Sequence, residues 1–474
     1  MLAVFLLLSL FLIGPVASAA DRQRLIVLSD IENEPDDTQS MVRLMLYSDV
    51  IDIEGLIATT STHLRTTVAP ESIRNVIAAY SKVRDNLLTH DPNYPPAETL
   101  LSVVKQGLPV YGMQGVGAGR NSEGSDWIVR MLLRDDPRPL WVAVWGGPNT
   151  LAQALYQIRA TESEAEVERL IAKLRVYTIS DQDDSAIWIR KNFPDLFYIV
   201  SPGGYGAGTW GAINQDVSGI DNTTVTNHWL AMNVQQRHGP LGAVYPDVAY
   251  GMEGDTPSFL GLIPNGLDAP EHPDWGGWGG RYEFYQPELA DMDPEGFTGG
   301  VPVEAEPHAI WTNAVDEYTP PMTGLIGRAV QAGDRTFKDF RVTLWRWRDD
   351  FQNDFAARMD WTIRPYAQAN HPPVPVLRHP AAITVTSGQG FELDARGSTD
   401  PDGDSLTYLW INYPEAGSYR DRIAIDGAQD MARVRVIAPR VQQPETTHFI
   451  LKLTDKGNPP LTRYRRVIVT VAPE

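Results

Sequence analysis

The feature that most constrains this 474-residue chain is an apolar run that ends abruptly in a dense group of acids. In IVLSDIENEPDD (26–37), apolar residues give way to five carboxylates within eight positions. The segment QSMVRLMLYSDV (39–50) then has apolar residues at helical spacing. This pattern predicts a buried strand, an acidic loop and a helix. Because ligands of open α/β sheets bind beyond the carboxyl ends of strands, the loop is a candidate site.

Five carboxylates in one loop repel one another unless a positive charge lies among them. A hard divalent cation, which prefers oxygen ligands, would supply that charge. The alternative is an acidic loop that caps the helix, since Asp and Glu are favoured at helix N-termini without any metal. The loop alone leaves both interpretations open.

The pattern D-x-E-x-x-x-D-D in this loop resembles the N-terminal signature of the nucleoside hydrolases, D-x-D-P-G-x-D-D. The segment SDIENEPDD (29–37) is similar to the corresponding segment in the nucleoside hydrolase-like domain of exported bacterial proteins labelled cellulose-binding. The resemblance implies that the loop holds a calcium ion, Ca²⁺, and a catalytic water. There are two departures, because Glu32 replaces an Asp and Glu34 replaces the loop glycine. By position, the resemblance implies the metal ligands Asp30, Glu32 and Asp37 and the general base Asp36.

A second segment, LWVAVWGGPNTLAQAL (140–155), also runs from strand through a glycine turn to helix. It resembles the family's T-G-P-L-T-N-I-A segment, in which a main-chain carbonyl at the strand end binds the metal. The resemblance implies that the carbonyl of Trp145 binds the ion and that Asn149 lies nearby, at the substrate. The alternative is an ordinary turn between strand and helix, with Asn149 as the helix N-cap.

A third segment, GMEGDTPSFLGLI (251–263), contains an acid before an apolar helical run. Nucleoside hydrolases end their site with His-Asp at the start of a helix, and this Asp is the last calcium ligand. Asp255 matches the Asp, but Gly254 stands in place of the His, which protonates the leaving base in many members. The loss argues against purine-type nucleosides, though not against glycoside cleavage in general. Four residues are candidate replacement acids, each with a structural or surface role as its alternative: Glu253, His228, His63 and His272.

Polar residues follow other predicted strands as well. Asp181 and Asp184, in ISDQDDSAIW (179–188), are candidates for binding sugar hydroxyls, and His63 falls where the family often has an Asn that touches the sugar. The resemblance implies calcium-dependent hydrolysis of an N- or O-glycoside by metal-activated water, in a single inverting displacement. The alternative is a non-catalytic carbohydrate-binding (cellulose-binding) protein that retains the fold.

Along residues 24–200, short apolar strands alternate with helical stretches. This rhythm predicts an α/β domain, a nucleoside hydrolase-like, mostly parallel open sheet with helices on both faces, which we place at 21–363. Residues 203–300 are rich in Gly, Trp and Pro, and long irregular regions of this kind are more often functional than accidental. Helical segments are expected to return near 308–334.

A proline-rich stretch, RPYAQANHPPVPVLRHP, then separates the alternating strands and helices from a segment in which only strands are predicted. We interpret 364–376 as a linker and 377–474 as an all-β, Ig-like sandwich that resembles PKD- and cadherin-like modules. We expect this domain to fold independently and to contribute no catalytic residue. In its DPDGD sequence, Asp400, Asp402 and Asp404 form either a second calcium site or a plain turn.

The first 19 residues, MLAVFLLLSLFLIGPVASA, are apolar and end in a small-x-small pattern. They predict a secretory signal peptide, and hence a secreted or periplasmic protein, with an uncleaved anchor as the alternative. The sequence has no other long apolar run, so no membrane contact is expected after cleavage. It also lacks cysteine, so disulfides do not stabilise it.

The formal net charge of −20 argues against nucleic-acid polymers and anionic membranes as partners. It is compatible with a neutral carbohydrate or glycoside, and a homo-oligomer is compatible with the sequence. The 13 Trp and 18 Tyr residues fit either stacking on sugars or ordinary aromatic packing. DWGGWGGRYEFY (274–285) is either a carbohydrate-stacking lip over the site or a packed loop at the domain edge.

Overall fold

The computed structural model of the protein describes most of the chain, in the ranges 22–200, 208–288, 301, 304–320 and 335–474. The predicted signal peptide, residues 1–19, lies outside the described residues. Within the described ranges, no helix combines the length and the apolar character needed to cross a membrane.

An eight-stranded sheet forms the centre of the N-terminal domain. All neighbouring strands pair in parallel except the last two, which are antiparallel. In spatial order the strands are β3 (Val104–Gln106), β2 (Ile51–Ala58), β1 (Gln23–Ser29), β4 (Leu140–Val144), β5 (Leu174–Thr178), β6 (Phe197–Val200), β8 (Ile310–Asn313) and β7 (Tyr282–Tyr285).

Alternating side chains of β1 are buried in two different cores, with Leu25 and Val27 on one face of the sheet and Ile26 and Leu28 on the other. Burial on both faces explains why the strand is a continuous apolar run. The helices are α1 (Pro35–Met45), α2 (Pro70–Ser81), α3 (Arg84–Leu87), α4 (Ala97–Ser102), α5 (Glu123–Leu133), α6 (Asn149–Thr161), α7 (Glu164–Lys173), α8 (Ser185–Asn192), α9 (Thr209–Asn214), α10 (Asn227–Leu230), α11 (Gly239–Ala243), α12 (Pro257–Leu260), α13 (Val342–Trp345) and α14 (Arg348–Asp360). The predicted fold class is confirmed.

The helices expected near 308–334 are wrong over the described part of that stretch. Residues 310–313 form β8, in which buried Ile310 and Thr312 alternate with half-buried residues, a period of two that is typical of a strand. A second short strand, β9 (Asp316–Tyr318), pairs with β10 (Phe337–Asp339). Residues 321–334 lie outside the described ranges.

The C-terminal region is all-β, as predicted. One sheet has the order β11-β17-β16-β13 and the other β12-β15-β14. These strands are β11 (Ala382–Thr386), β12 (Gly390–Asp394), β13 (Leu406–Tyr413), β14 (Ile425–Asp426), β15 (Arg433–Ile437), β16 (Glu445–Asp455) and β17 (Thr462–Ala472).

The DPDGD sequence has the hydrogen bonds of a turn. Asp400 Oδ1 accepts from the backbone N–H groups of Asp402 at 2.9 Å and of Asp404 at 3.0 Å. Asp402 in turn accepts from the N–H of His371, in the predicted linker, at 2.7 Å. The three carboxylates of this sequence do not converge as a metal-binding group. The turn therefore attaches the linker to the β domain.

The β domain shares a buried core with the α/β domain. Tyr464 of β17 belongs to the same apolar cluster as Trp278 and Phe351, and its hydroxyl donates to Asp350 of α14. Tyr413 of β13 is also fully buried in this cluster. These contacts argue against independent folding of the two domains, because separation would expose one continuous core.

We therefore expect Tyr464→Ala to lower the free energy of unfolding of the whole chain by about 3–5 kcal/mol, the usual cost of removing a buried aromatic side chain. Thermal unfolding should remain a single transition. Tyr408→Ala, at a partly buried position in the β domain's own core, is the control and should shift the same single transition by less. Two separate transitions, with the α/β transition unmoved by Tyr464→Ala, would contradict the shared core.

Candidate metal and active site

The acidic loop joins β1 to α1 at the carboxyl edge of the sheet. The N–H of Asn33 donates to the carbonyl of Asp30 at 3.0 Å and closes a turn. Asp36 and Asp37 lie in the first turn of α1, where the helix dipole favours carboxylates. The predicted sequence of strand, loop and helix is confirmed.

Three buried carboxylates meet at this edge, and we call Asp36, Asp37 and Asp255 the acid cluster. One oxygen from each lies within 4.8 Å of the other two. Asp255 reaches the cluster from the loop that precedes α12. The structure thus brings together acids from two segments that are more than 200 residues apart in the chain.

Asp30 lies beside the acid cluster and is 2% exposed. A Cβ atom on Gly146, which follows β4, would lie only 2.8 Å from the Asp30 side chain. The glycine turn after β4 therefore allows this strand end to approach β1 closely enough to enclose Asp30. The sequence signal for this contact is the Gly146-Gly147 pair.

The carboxylates of the site repel one another. Burial, followed by the charges of Asp36 and Asp37, holds the pKa of Asp255 well above its usual range. Burial and the charges of Asp30 and Asp36 have the same effect on the pKa of Asp37. Burial also raises the pKa of Asp36 to about 6. The site is therefore one in which negative charge is unfavourable unless a positive charge joins it.

The residues present fit a hard divalent cation. Asp30 Oδ2 and Asp255 Oδ2 are both buried and have no hydrogen-bond partner. Buried carboxylate oxygens without partners are costly, and divalent cations of the calcium type bind sets of such oxygens. The carboxylates at the site and their unpartnered oxygens therefore both favour a divalent cation of the calcium type.

The structure does not bring Glu32 to the acid cluster. Glu32 is exposed, and its backbone lies in the left-handed region with φ 83°. Glu34 is half-buried instead, and burial together with the charges of Asp36 and Asp30 raises its pKa to about 7. The acid that approaches the cluster is therefore the one that replaces the loop glycine.

The carbonyl of Trp145 lies at the end of β4, where it accepts a hydrogen bond from Gln182 Nε2 at 2.5 Å. The other side-chain atom of Gln182, Oε1, is buried and has no hydrogen-bond partner. Sequence reasoning missed Gln182, because it lies among the acids after β5 without a motif of its own. Because a carbonyl oxygen has two lone pairs, Trp145 can accept this bond and still offer the second lone pair to a cation.

Three residues expected at the substrate are engaged with neighbouring protein atoms. Asn149, at the start of α6, is buried and donates to the carbonyl of Val110 at 2.7 Å. Asp181 forms an ion pair with Arg190 at 2.7 Å. Asp184 accepts from a backbone N–H at 2.8 Å. These contacts give each of them a structural role at the edge of the sheet.

The four candidate acids lie in different surroundings. His63 is exposed near Asp30, and partial desolvation lowers its pKa while the charge of Asp30 opposes that shift. Glu253 is fully buried and pairs with Arg43 at 2.5 Å. His228 is exposed on α10. Of these three, the structure brings His63 to the acids and assigns Glu253 to the scaffold.

The tryptophans of the aromatic loop 274–285 are packed, whereas its last two aromatic residues are 60% and 36% exposed. Trp278 is fully buried, and its indole N–H donates to the hydroxyl of Tyr464 at 3.3 Å. The ring of His272, the fourth candidate acid, stacks on Trp275 with 4.0 Å between centroids. The loop therefore joins the two domains, and the interpretation as a packed loop describes these side chains.

Trp210, on α9, contacts the acid cluster and was not identified from the sequence. Its indole Nε1–H donates to Asp36 Oδ2 at 2.8 Å. A Cβ atom on Gly254 would lie 1.8 Å from this indole. The position at which the sequence lacks the expected histidine is thus filled by an aromatic ring from a distant segment, a contact that no local sequence signal reveals.

The raised pKa values predict how pH affects the metal-free protein. A carboxylate whose pKa rises on folding contributes stability that is present below its unfolded value of 3.8 and is lost as pH rises through the folded value, about 6 for Asp36. We expect EDTA-treated protein to lose thermal stability from about pH 4 to about pH 7, the span between the unfolded value and the folded pKa of about 7 for Glu34, and Ca²⁺ to restore it most above about pH 7.

The matched variant for this experiment is Asp255→Asn, which removes one of the mutually repelling charges. It should raise the melting temperature of EDTA-treated protein at about pH 8 and abolish the effect of calcium. Native protein and variant with the same pH profile and the same calcium response would show that these acids do not control stability.

Two family models match the chain. Residues 24–282 match the model described as cellulose-binding Sde182, nucleoside hydrolase-like domain. Residues 390–471 match the model described as cellulose-binding protein Sde0182, C-terminal domain. No curated protein matches the chain.

A solved structure is similar along almost the whole chain. It is a nucleoside hydrolase-related hypothetical protein from Saccharophagus degradans that is described as associated with carbohydrate metabolism. The two sequences are 34% identical, the match covers 96% of this chain and 100% of the other, and the TM-score is 0.77. With its first domain, its C-terminal domain and its fold all matched, the chain belongs to the cellulose-binding Sde182 family, whose N-terminal domain is nucleoside hydrolase-like.

Proposed function

We propose that the protein is a calcium-dependent hydrolase that cleaves a glycosidic bond of a carbohydrate substrate. The observation that carries the proposal is the acid cluster, with its buried and unpartnered carboxylate oxygens at the carboxyl edge of the sheet. Burying so much negative charge is unfavourable for a purely structural element, whereas a cation-dependent site requires it.

The groups that would hold the cation are Asp30, Asp37, Asp255 and the carbonyl of Trp145. When bound, Ca²⁺ would supply positive charge that orients sugar hydroxyls and acidifies a water molecule. Asp37 is already oriented by Ser29, whose hydroxyl donates to Asp37 Oδ1 at 2.5 Å. Several donors are thus positioned by the fold itself.

Asp36 is the proposed general base. Its Oδ2 atom is held by the indole N–H of Trp210, and its Oδ1 atom accepts from the N–H of Asp37 at 3.1 Å. Both contacts keep the carboxylate in one orientation beside the cluster. A base in this position removes a proton from the attacking water as the glycosidic bond breaks, and surrounding carboxylates stabilise the positive charge that develops on the sugar.

The substrate class rests on charge and on relatives. A chain with a net charge of −20 and a buried acid cluster favours neutral ligands over anionic ones. The family is described as cellulose-binding, and the similar protein from Saccharophagus degradans is associated with carbohydrate metabolism. A neutral carbohydrate agrees with all three observations. Secretion directed by residues 1–19 would bring the protein to such a substrate.

A non-catalytic carbohydrate-binding protein is the second candidate, and one observation favours it. The position of the expected histidine acid is Gly254, and the space above it is filled by Trp210, whose N–H is bonded to Asp36. An indole does not release a proton at neutral pH. Unless His63 or Glu34 protonates the leaving group, the site would bind a sugar without cleaving it.

Calcium binding is the first test. Isothermal titration of the metal-free protein should show one calcium site, and Asp255→Asn should abolish it because a buried ligand is lost. Glu32→Gln is the matched control, because Glu32 is exposed outside the cluster, and it should bind calcium as the native protein does. Native affinity in Asp255→Asn would exclude the acid cluster as the metal site.

Turnover is the second test. In a screen of chromogenic glycosides, natural oligosaccharides and nucleosides, we expect calcium-dependent release of a sugar, with Asp36→Asn lowering turnover by about 10²–10⁴-fold. Calcium affinity should change little in this variant. Bound calcium without sugar release from any substrate would favour the non-catalytic candidate, and an undiminished rate in Asp36→Asn would exclude Asp36 as the base.

A further inference from the structure

The indole of Trp210 packs directly onto the backbone of the loop that carries Asp255. A Cβ atom would lie 1.8 Å from the indole at Gly254 and 2.9 Å from it at Gly251. Both are far closer than real Cβ contacts. Gly254 therefore provides the slot for this ring, and the indole N–H of the ring is bonded to Asp36.

The surroundings of this slot resemble a binding subsite more than a sealed core. Trp210 itself is half-buried, and Tyr250, the residue before Gly251, is 80% exposed. Asn214, one helical turn after Trp210 on α9, is packed under the same loop, because a Cβ atom on Gly251 would lie 2.5 Å from its Nδ2 atom. A half-buried indole bonded to Asp36 and an exposed second ring thus lie along the loop that carries Asp255.

We propose that Trp210 and Tyr250 form a stacking subsite for a neutral pyranose ring, adjacent to the sugar that the acid cluster holds. The inference rests on the proposed function in one respect, that the acid cluster binds a sugar. It adds the substrate class, an oligosaccharide rather than a nucleoside, and the residues that select it.

The chemistry of the slot supports this choice. The apolar C–H face of a pyranose packs on flat aromatic rings, while its hydroxyls need donors and acceptors at the rim. The excess of carboxylates disfavours acidic sugars. A purine could also stack on an indole, but Gly254 stands where many nucleoside hydrolases have the histidine that protonates the leaving base.

The test measures binding separately from turnover. Full-length protein with calcium is titrated with thio-linked cellotetraose, which resists hydrolysis, by calorimetry. We expect Trp210→Ala and Gly254→Ala to weaken binding about tenfold, the latter because its new methyl group displaces the indole. Trp210→Phe keeps a ring face and should bind within about threefold of the native protein.

Two variants serve as matched controls and should bind as the native protein does. Gly261→Ala adds a methyl group whose nearest neighbour is 3.6 Å away, an ordinary contact. Trp127→Phe removes another indole N–H, which donates at 2.7 Å to the carbonyl of Glu54, away from the acids. Tyr250→Ala changes an exposed residue that the fold does not need, and should weaken binding about threefold even if Gly254→Ala fails to fold.

Three results would overturn the inference: no binding of thio-linked cellotetraose by the native protein, equal binding by the native protein and all three subsite variants, or displacement of the saccharide by inosine at lower concentrations than by cellobiose. Binding that depends on Trp210 in a protein without turnover would support the subsite and reject the hydrolase. Turnover that is unaffected by Trp210→Ala would support the hydrolase and reject the subsite.

Discussion

The mutual repulsion of buried carboxylates is the constraint on which the rest of this site depends. Asp30, Asp37 and Asp255 are each at most 3% exposed, and two of them carry buried oxygens without partners. The dipole of α1 and the hydroxyl of Ser29 offset only part of this cost. The rest of the repulsion is removed either when a carboxylate takes up a proton or when a cation binds. Folding stability, pH and metal occupancy are therefore linked through the same few atoms.

The scaffold around the acids consists of buried polar pairs that hold a strained loop in place. The backbone of Glu253 has φ 50°, a left-handed conformation that residues other than glycine rarely adopt. Its carboxylate pairs with Arg43 of α1. Its backbone N–H donates to Gln39 of the same helix at 2.9 Å. These contacts tie the loop to α1, so that Asp255 arrives beside Asp36 and Asp37. A residue that the sequence offered as a catalytic acid is thus a support for a metal ligand.

What the sequence predicted well is what depends on neighbours along the chain. The apolar run before Asp30, the glycine turn after β4 and the acid before α12 each carry a local pattern, and the structure places all three at one edge of the sheet. No local pattern showed that Glu34 rather than Glu32 approaches the acid cluster, because this depends on the left-handed backbone conformation of Glu32 inside the loop. Trp210 could not be found either, since its contact with Gly254 joins segments more than 40 residues apart through irregular chain. The same holds for Tyr464, whose burial against α14 depends on how the two domains pack.

The most direct measurement is the anomalous difference density of crystals grown with calcium. We expect one strong peak at the acid cluster, with oxygen atoms of Asp37 and Asp255 at about 2.3–2.6 Å from it. A site without a peak, in which the unpartnered oxygens of Asp30 and Asp255 instead share protons or contact a Lys or Arg side chain, would contradict this expectation.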